Sequence, residues 1–259
     1  MTMTFYKYQG TGNDFIIIDN RQLVFDKNDT KRIKLLCDRR FGIGADGLIL
    51  LEDHNSLDFK MVYFNSDGNE SSMCGNGGRC IVAFANLLGI IKEQATFMAI
   101  DGVHEAIIEN DIVRLSMQDV TNVEKHQGHV FLDTGSPHHV ELCDRLKDLD
   151  LKAEGSKIRY GAPYFDSGSN VNFVSKVSND NFSVRTYERG VEDETLSCGT
   201  GVTAVALAMH AIGETTKNDV TLHTPGGDLR VQFKEDGKAY TDVWLQGPAL
   251  MVFKGEISW

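Results

Sequence analysis

The chain has few of the features that place a protein on nucleic acid, in a membrane or in an oxidising compartment. Lys and Arg number 26 against 37 Asp and Glu, a net charge of −11, and neither a basic patch nor a run of five like charges breaks the acidic excess. Nucleic acid and anionic membrane surfaces are therefore not expected partners, and a small molecule is the expected ligand. No apolar run approaches the roughly 20 residues that cross a bilayer. The opening Met1 to Gly10 lacks the basic and apolar regions of a signal peptide, so a soluble cytoplasmic protein is expected. Cysteines number five, an odd count without repeated CxxC spacing, which fits a reducing compartment better than a disulfide framework. With no CxxC or HExxH motif, no metal site is expected. Cys74 and Cys80 sit six apart on one expected helix and so on different faces. Cys37, Cys80 and Cys143 read as small hydrophobes.

What the chain does have is one chemical device written twice. Glu70-Ser-Ser-Met-Cys74-Gly-Asn-Gly-Gly-Arg-Cys80 returns in altered form as Glu194-Thr-Leu-Ser-Cys198-Gly-Thr-Gly-Val-Thr-Ala204. Each cysteine is followed by Gly-x-Gly and an apolar helical run, Ile81 to Leu88 and Val202 to Met209. Each run stops at a glycine, Gly89 and Gly213, as helix C-termini do. A glycine turn entering a helix presents unpaired N–H groups and the positive end of the helix dipole. Such a place binds carboxylates and lowers a cysteine pKa from about 8.5 towards neutrality.

The repeat extends through most of the chain. Gly12–Ile17 aligns with Gly135–Val140, and Phe59–Asn65 with Phe182–Glu188, both at an offset of 123; the cysteines are 124 apart, and Thr96–Gly102 matches Thr221–Gly227 at 125. Register held over that distance implies two copies of one fold. The expected first half is residues 1–120, joined by a returning strand from 247–259, and the second is 121–246. Within the first copy, strands are expected at 15–19, 47–51 and 59–64, a helix at 30–39, and a three-strand meander at 95–100, 103–109 and 112–117. The second copy repeats the scheme, with Glu235-Asp-Gly237 marking its last hairpin and a tail strand over 249–253. The fold class is α+β, each half a strongly bent sheet around a central, mostly buried helix. Gly42-Ile-Gly-Ala-Asp-Gly47 fits GxGxxG, but a helix precedes it and strand-like sequence follows, the reverse of a dinucleotide turn, so a tight turn is expected.

A single such cysteine would suffice for covalent catalysis, but two in matching loops suit acid–base chemistry. If the halves face each other across a pseudo-twofold axis, a small anion in the shared cleft would meet one sulfur on each face of the carbon beside its carboxylate. A thiolate would take the α-proton and the opposite thiol would return one, with inversion.

Asn65-Ser-Asp-Gly-Asn-Glu-Ser-Ser-Met-Cys74-Gly-Asn-Gly-Gly-Arg-Cys80, Tyr187-Glu-Arg-Gly190 and Cys198-Gly-Thr-Gly201 closely resemble the diaminopimelate epimerase family. Gly10-Thr-Gly-Asn-Asp-Phe15, Phe41–Gly47 and Gly247-Pro-Ala249 extend the likeness nearly end to end. The resemblance implies a cofactor-independent isomerase that interconverts LL- and meso-diaminopimelate, with two pseudo-symmetric halves, the active site between them, and a homodimer as the assembly to expect. It implies that Cys74 and Cys198 are the acid–base pair, and that His138 and Glu188 tune their protonation. Asn13, Asn65, Asn170, Glu188 and Arg189 would contact the substrate, the arginine gripping the distal carboxylate with its planar fork. Gly75, Asn76, Gly199 and Thr200 would donate amides to the carboxylate at the reacting carbon. On the residues alone, His138 could equally be a turn histidine, Glu188 and Arg189 an exposed charged pair, and the asparagines turn formers.

Two departures from the family pattern stand out. Ser136 occupies a position where Asn is common, and the loop over 190–197 is one residue longer than usual. The rival readings are a proline or hydroxyproline racemase, whose substrates would leave Asn13, Asn65, Asn170 and Arg189 without a purpose, and a thiol-switch or amino-acid-binding protein that closes on a ligand without turnover.

Overall fold

The computed structural model describes residues 2–71 and 73–258; Ser72 in the first cysteine stretch, Met1 and Trp259 lie outside them. The chain forms two compact units, residues 1–115 with 247–259, and residues 116–246.

The first unit begins with a strand that the sequence pattern does not announce, β1 (Thr2–Gly10), paired antiparallel with β2 (Asn13–Asp19). Helix α1 (Thr30–Cys37) follows, then β3 (Gly47–Glu52), parallel to β2, and β4 (Phe59–Asn65), antiparallel to β3. The runs Phe15–Ile18 and Leu48–Leu51 are apolar at every position because both sheet faces are covered. Ile16, Ile18, Leu48 and Leu50 pack outward with Ile33 and Leu36 of α1, while Phe15 and Ile49 reach towards helix α2 (Gly75–Leu87). Then β5 (Gln94–Ala99), β6 (Gly102–Glu109) and β7 (Ile112–Ser116) make the expected meander.

Helix α1 is capped by Asp29, whose carboxylate accepts from the Arg32 amide at 3.0 Å. It ends at Cys37, two residues short of expectation. Asp38 is extended and its carboxylate takes the Arg40 and Phe41 amides at 2.7 and 2.8 Å, a local turn that competes with another helical turn. The GxGxxG segment lies between α1 and β3, with Gly44 at φ +82°, a tight turn as expected.

The second unit repeats this order. Strands β8 (Val123–Lys125), β9 (Val130–Asp133) and β10 (Pro137–Leu142) are antiparallel neighbours. Helix α3 (Leu151–Tyr160) leads to β11 (Asn170–Lys176), parallel to β10, and to β12 (Asn181–Glu188), antiparallel to β11. A short β13 (Asp193–Thr195) pairs with β12 ahead of helix α4 (Gly199–Ala211). Strands β14 (Asp219–Thr224), β15 (Gly227–Asp236) and β16 (Ala239–Pro248) complete the set. Val120 bridges to Tyr240 of β16, which draws the end of the sheet round α4. From Gly201 to Met209 every residue of α4 is buried, packed on apolar side chains from β9 through β16. Each fully buried Val or Leu there stabilises the unit by roughly 1.5–3 kcal/mol.

The tail, β17 (Leu250–Ser258), is longer than the expected 249–253. It runs antiparallel to β1 from Gln9↔Leu250 to Thr2↔Ser258, so that β1 is paired with β2 on one edge and with β17 on the other. Both cysteine helices stop as their glycines require: Gly89 and Gly213 take φ +71° and +81° just beyond the caps Leu88 and Ile212. No helix among the described residues is long and apolar enough to cross a membrane.

Candidate active site

In the first unit Cys74 is the N-cap of α2, extended at φ −99° and ψ 126°, and its carbonyl accepts the Gly78 amide at 2.7 Å. Gly75 and Asn76, both buried, supply first-turn N–H groups that have no acceptor within the helix. The Cys74 thiol donates to Asn13 Oδ1 at 3.5 Å, and Asn76 Nδ2 donates to the same oxygen at 3.3 Å. Asn13 is held that way round because its Nδ2 donates to the Asp46 carboxylate at 2.7 Å. Asn76 is fixed in turn by Arg79, whose guanidinium donates to Asn76 Oδ1 at 3.0 Å and to Thr11 Oγ1 at 3.2 Å. Arg79 is fully buried on neutral acceptors, the Gly75 and Pro248 carbonyls included. Behind this layer, burial would raise the Asp14 carboxyl. Hydrogen bonds from Arg39 at 2.6 Å and Lys7 at 2.7 Å outweigh that and hold it well below the usual carboxylate range. Asn65 lies exposed at the end of β4, its amide bonded to Asn69 O.

In the second unit Cys198 caps α4 in the same extended conformation, φ −122° and ψ 114°, its carbonyl accepting the Val202 amide at 2.9 Å. Gly199 and Thr200 take the places of Gly75 and Asn76. The Thr200 hydroxyl lies 3.5 Å from Cys198 Sγ and 2.9 Å from His138 Nε2. His138 is wholly buried on β10, and burial, aided by the Arg189 charge, pushes its imidazole down to about 3. It is therefore neutral at physiological pH.

A second cluster in this unit joins Asn170, Ser136 and Arg189. Asn170 Nδ2 donates to Ser136 Oγ at 2.8 Å and to the Pro137 carbonyl at 3.0 Å, while its Oδ1 accepts the Arg189 amide at 2.9 Å. The Arg189 guanidinium donates to Ser167 O at 2.9 Å and reaches Ser136 Oγ at 3.5 Å. Glu188 ends β12, half-buried. The loop beyond is ordered by Glu192, in the left-handed region at φ +59°, which accepts from Gly190 N at 3.1 Å and pairs with Arg159. The glutamates four residues before each cysteine hold structure: Glu194 makes a bidentate pair with Arg185, both contacts 2.7 Å, and Glu70 bridges to Phe64.

Cys37 and Cys80 behave as core residues, burial pushing both thiols up to about 12, and Cys143 packs beside a small apolar cluster under α3. No group of three His, Cys, Asp or Glu among the described residues could hold a metal ion. Reading the sequence passes over Arg79, Asp46 and Asn172. For Asn172 a signal exists, since Asn170 and Asn172 are two apart on a strand and so share a face.

The sequence profile of the diaminopimelate epimerase family matches residues 5–123 and 130–252. A diaminopimelate epimerase from Flavobacterium psychrophilum is 60% identical over 256 residues, covering 98% of this chain and all of the relative. Among solved structures, a PhzF-family phenazine biosynthesis protein from Bacillus anthracis superposes with a TM-score of 0.79 at 11% identity, each chain wholly covered. A probable proline racemase from Agrobacterium radiobacter K84 gives 0.70 at 14% identity, with 99% of this chain and 93% of that one covered. At those identities the two structures are similar in fold alone.

Proposed function

Because the chain belongs to the diaminopimelate epimerase family, we propose that it interconverts LL- and meso-diaminopimelate by exchanging one α-proton, without a cofactor, in the synthesis of lysine and peptidoglycan precursors. The observation that carries this reading is the duplicated N-cap cysteine. Cys74 and Cys198 each stand at the head of a buried helix with Gly-x-Gly in its first turn. One sulfur, as thiolate, removes the α-proton; the other, as thiol, delivers a proton to the opposite face, and the configuration inverts. Negative charge that develops on the substrate carboxylate during proton removal is stabilised by first-turn amides of Gly75, Asn76, Gly199 and Thr200.

His138 and Glu188 tune the thiols. For His138 the tuning is by hydrogen bonding, since a buried imidazole with its pKa pushed down to about 3 carries no charge at neutral pH. Asn13, Asn65, Asn170, Glu188 and Arg189 position the substrate, the guanidinium gripping the distal carboxylate. Ser136, bonded to both Asn170 and Arg189, stands in for the more usual asparagine in that cluster. The enzyme works in the cytoplasm as a homodimer; sedimentation of the purified protein at the mass of a monomer would remove the second part.

The test is to incubate the reduced protein with LL-diaminopimelate in D2O, following stereochemistry and α-deuterium together. Meso product carrying solvent deuterium is expected, and Cys74→Ala and Cys198→Ala are each expected to lower turnover by at least about a thousandfold while remaining folded. Deuterium entering proline or hydroxyproline instead would move the protein to a racemase. Substantial epimerisation by either variant would sink the two-thiol mechanism.

A further inference from the structure

A run of hydrogen bonds behind Cys198 has a defined direction. The Asn172 amide nitrogen, on β11, donates to the His139 carbonyl at 3.0 Å, and a carbonyl can only accept. Its Oδ1 accepts from the Thr186 hydroxyl at 2.9 Å, so the amide is fixed at both ends. The second hydrogen of the same nitrogen points at His138 Nδ1, 3.1 Å away. Nδ1 is thus the acceptor, and the single proton of a neutral imidazole sits on Nε2. Nε2–H donates to Thr200 Oγ1 at 2.9 Å, which leaves the hydroxyl proton of Thr200 to point at Cys198 Sγ, 3.5 Å away. Asn172 and His138 are both wholly buried, and the Thr134 hydroxyl holds the Thr200 carbonyl at 2.9 Å.

The geometry points to Asn172 as a positioning residue: by locking His138 in its Nε2–H tautomer it turns the Thr200 hydroxyl into a donor to Cys198, which favours the thiolate there. His138 then acts as a fixed dipole, and never takes the proton from Cys198. The Arg189 cation, which faces His138, opposes protonation of the ring and keeps the relay in that state. In the first unit Cys74 meets the opposite polarity in Asn13, an amide oxygen held in place by Asp46 and Asn76. The charged groups behind it are Asp46, Asp14, Arg39, Lys7 and the buried Arg79. The relay bears on the reaction only if the proposed two-thiol epimerisation is right, but its existence can be tested without turnover.

The experiment is pulsed alkylation of the reduced, full-length protein with iodoacetamide from about pH 5.5 to about pH 9, reading Cys74 and Cys198 separately by peptide mass spectrometry. Thr200→Val keeps the backbone and shape but removes the hydroxyl. It should raise the Cys198 midpoint by about one pH unit, so that alkylation below the midpoint is about tenfold slower, with the Cys74 midpoint unmoved. Thr200→Ser should restore it, and Asn172→Leu should give the same rise as Thr200→Val. If Asn172→Leu does not fold, Thr200→Val decides. An unchanged Cys198 midpoint in Thr200→Val, or an equal shift at both cysteines, overturns the relay. A shifted midpoint in a protein that does not turn over diaminopimelate would keep the relay and remove the proposed function.

Discussion

The two units set the same backbone device in different surroundings. Phe15 and His138 occupy equivalent places on β2 and β10, and Ile49 and Asn172 on β3 and β11, as the parallel registers Phe15↔Gly47 and His138↔Asn170 require. In the first unit these side chains form an apolar wall against the first turn of α2. A Cβ on Gly77 would meet Ile49 Cδ1 at 3.1 Å and Met61 Cε at 3.3 Å. In the second unit the wall is polar, and a Cβ on Gly201 would meet Asn172 Oδ1 at 2.6 Å and the Cys198 sulfur at 3.3 Å. The buried polarity of the first unit lies on its helix instead, where Arg79 donates to the Gly75 carbonyl; at the matching place in α4 the Thr203 hydroxyl donates to Gly199 O at 2.9 Å. Duplication conserved the turn that presents each thiol, while the groups that set its hydrogen bonding diverged.

The largest expected consequence is a difference in acid stability. His138 and His139 are both pushed down to about 3, chiefly by burial, with the charges of Arg189 for the first and of His129 and His126 for the second adding to it. An unfolded chain takes up those protons below about pH 6.5 whereas the folded one refuses them, so the stability they contribute is present above about 6.5 and lost as pH falls, at up to about 1.4 kcal/mol per unit for each. Asp14 in the first unit has the other sign of partner. Its carboxyl is depressed, so its contribution persists until pH drops below about 3.9. Native-state hydrogen exchange between about pH 7 and about pH 4.5 should therefore show β10, β11 and α4 losing protection before β2, β3 and α2. Loss that begins in the first unit would show that the two buried histidines do not set the order of acid unfolding.

Next in size is the pair Gly201→Ala and Gly77→Ala. The first drives a methyl into a fixed amide oxygen and should cost about 2–3 kcal/mol in urea unfolding. The second meets the flexible ends of Ile49 and Met61 and gains helix propensity, so its net effect should stay within about 1 kcal/mol. Equal costs would mean that the polar wall is no more rigid than the apolar one. The smallest effect is expected from Ser136→Asn, which places in the second unit the residue found at the equivalent Asn13. Steady-state kinetics should show KM for diaminopimelate changed by less than about tenfold and kcat nearly untouched, since one hydrogen bond in a half-exposed cluster is at stake. A large fall in kcat would place Ser136 nearer the chemistry than its contacts with Asn170 and Arg189 indicate.

Much of this organisation is legible in the sequence. The order of strand, helix, two strands, cysteine helix and three strands that the repeat implies is present in both units, from β2 to β7 and, with the short β13 added, from β10 to β16. The shortfalls have local causes. β1 escapes the sequence pattern because its alternation is broken by Lys7, Tyr8 and Gln9, where the pairing with β17 shifts register. The expected tail strand is too short because Gly255 and Glu256 look like a strand end, although they pair with Phe5 and Thr4. Arg79 carries no sequence signal because a cation in an apolar helix is expected to face solvent, and only the fold supplies its buried acceptors.

Local sequence fixes where the two thiols stand. Gly-x-Gly, an apolar helical run and a terminal glycine are local instructions, and they yield the same N-cap conformation at Cys74 and Cys198 whatever surrounds them. Which groups surround those thiols is a matter of how distant strands pair. Asn13 and Asp46 come to Cys74 across the β2–β3 pairing, and His138 and Asn172 come to Thr200 and Cys198 through the register of β10 on β11. Register and the choice of sheet face are settled by long-range packing. Whether a sulfur meets an acceptor or a donor therefore depends on residues scores of positions away.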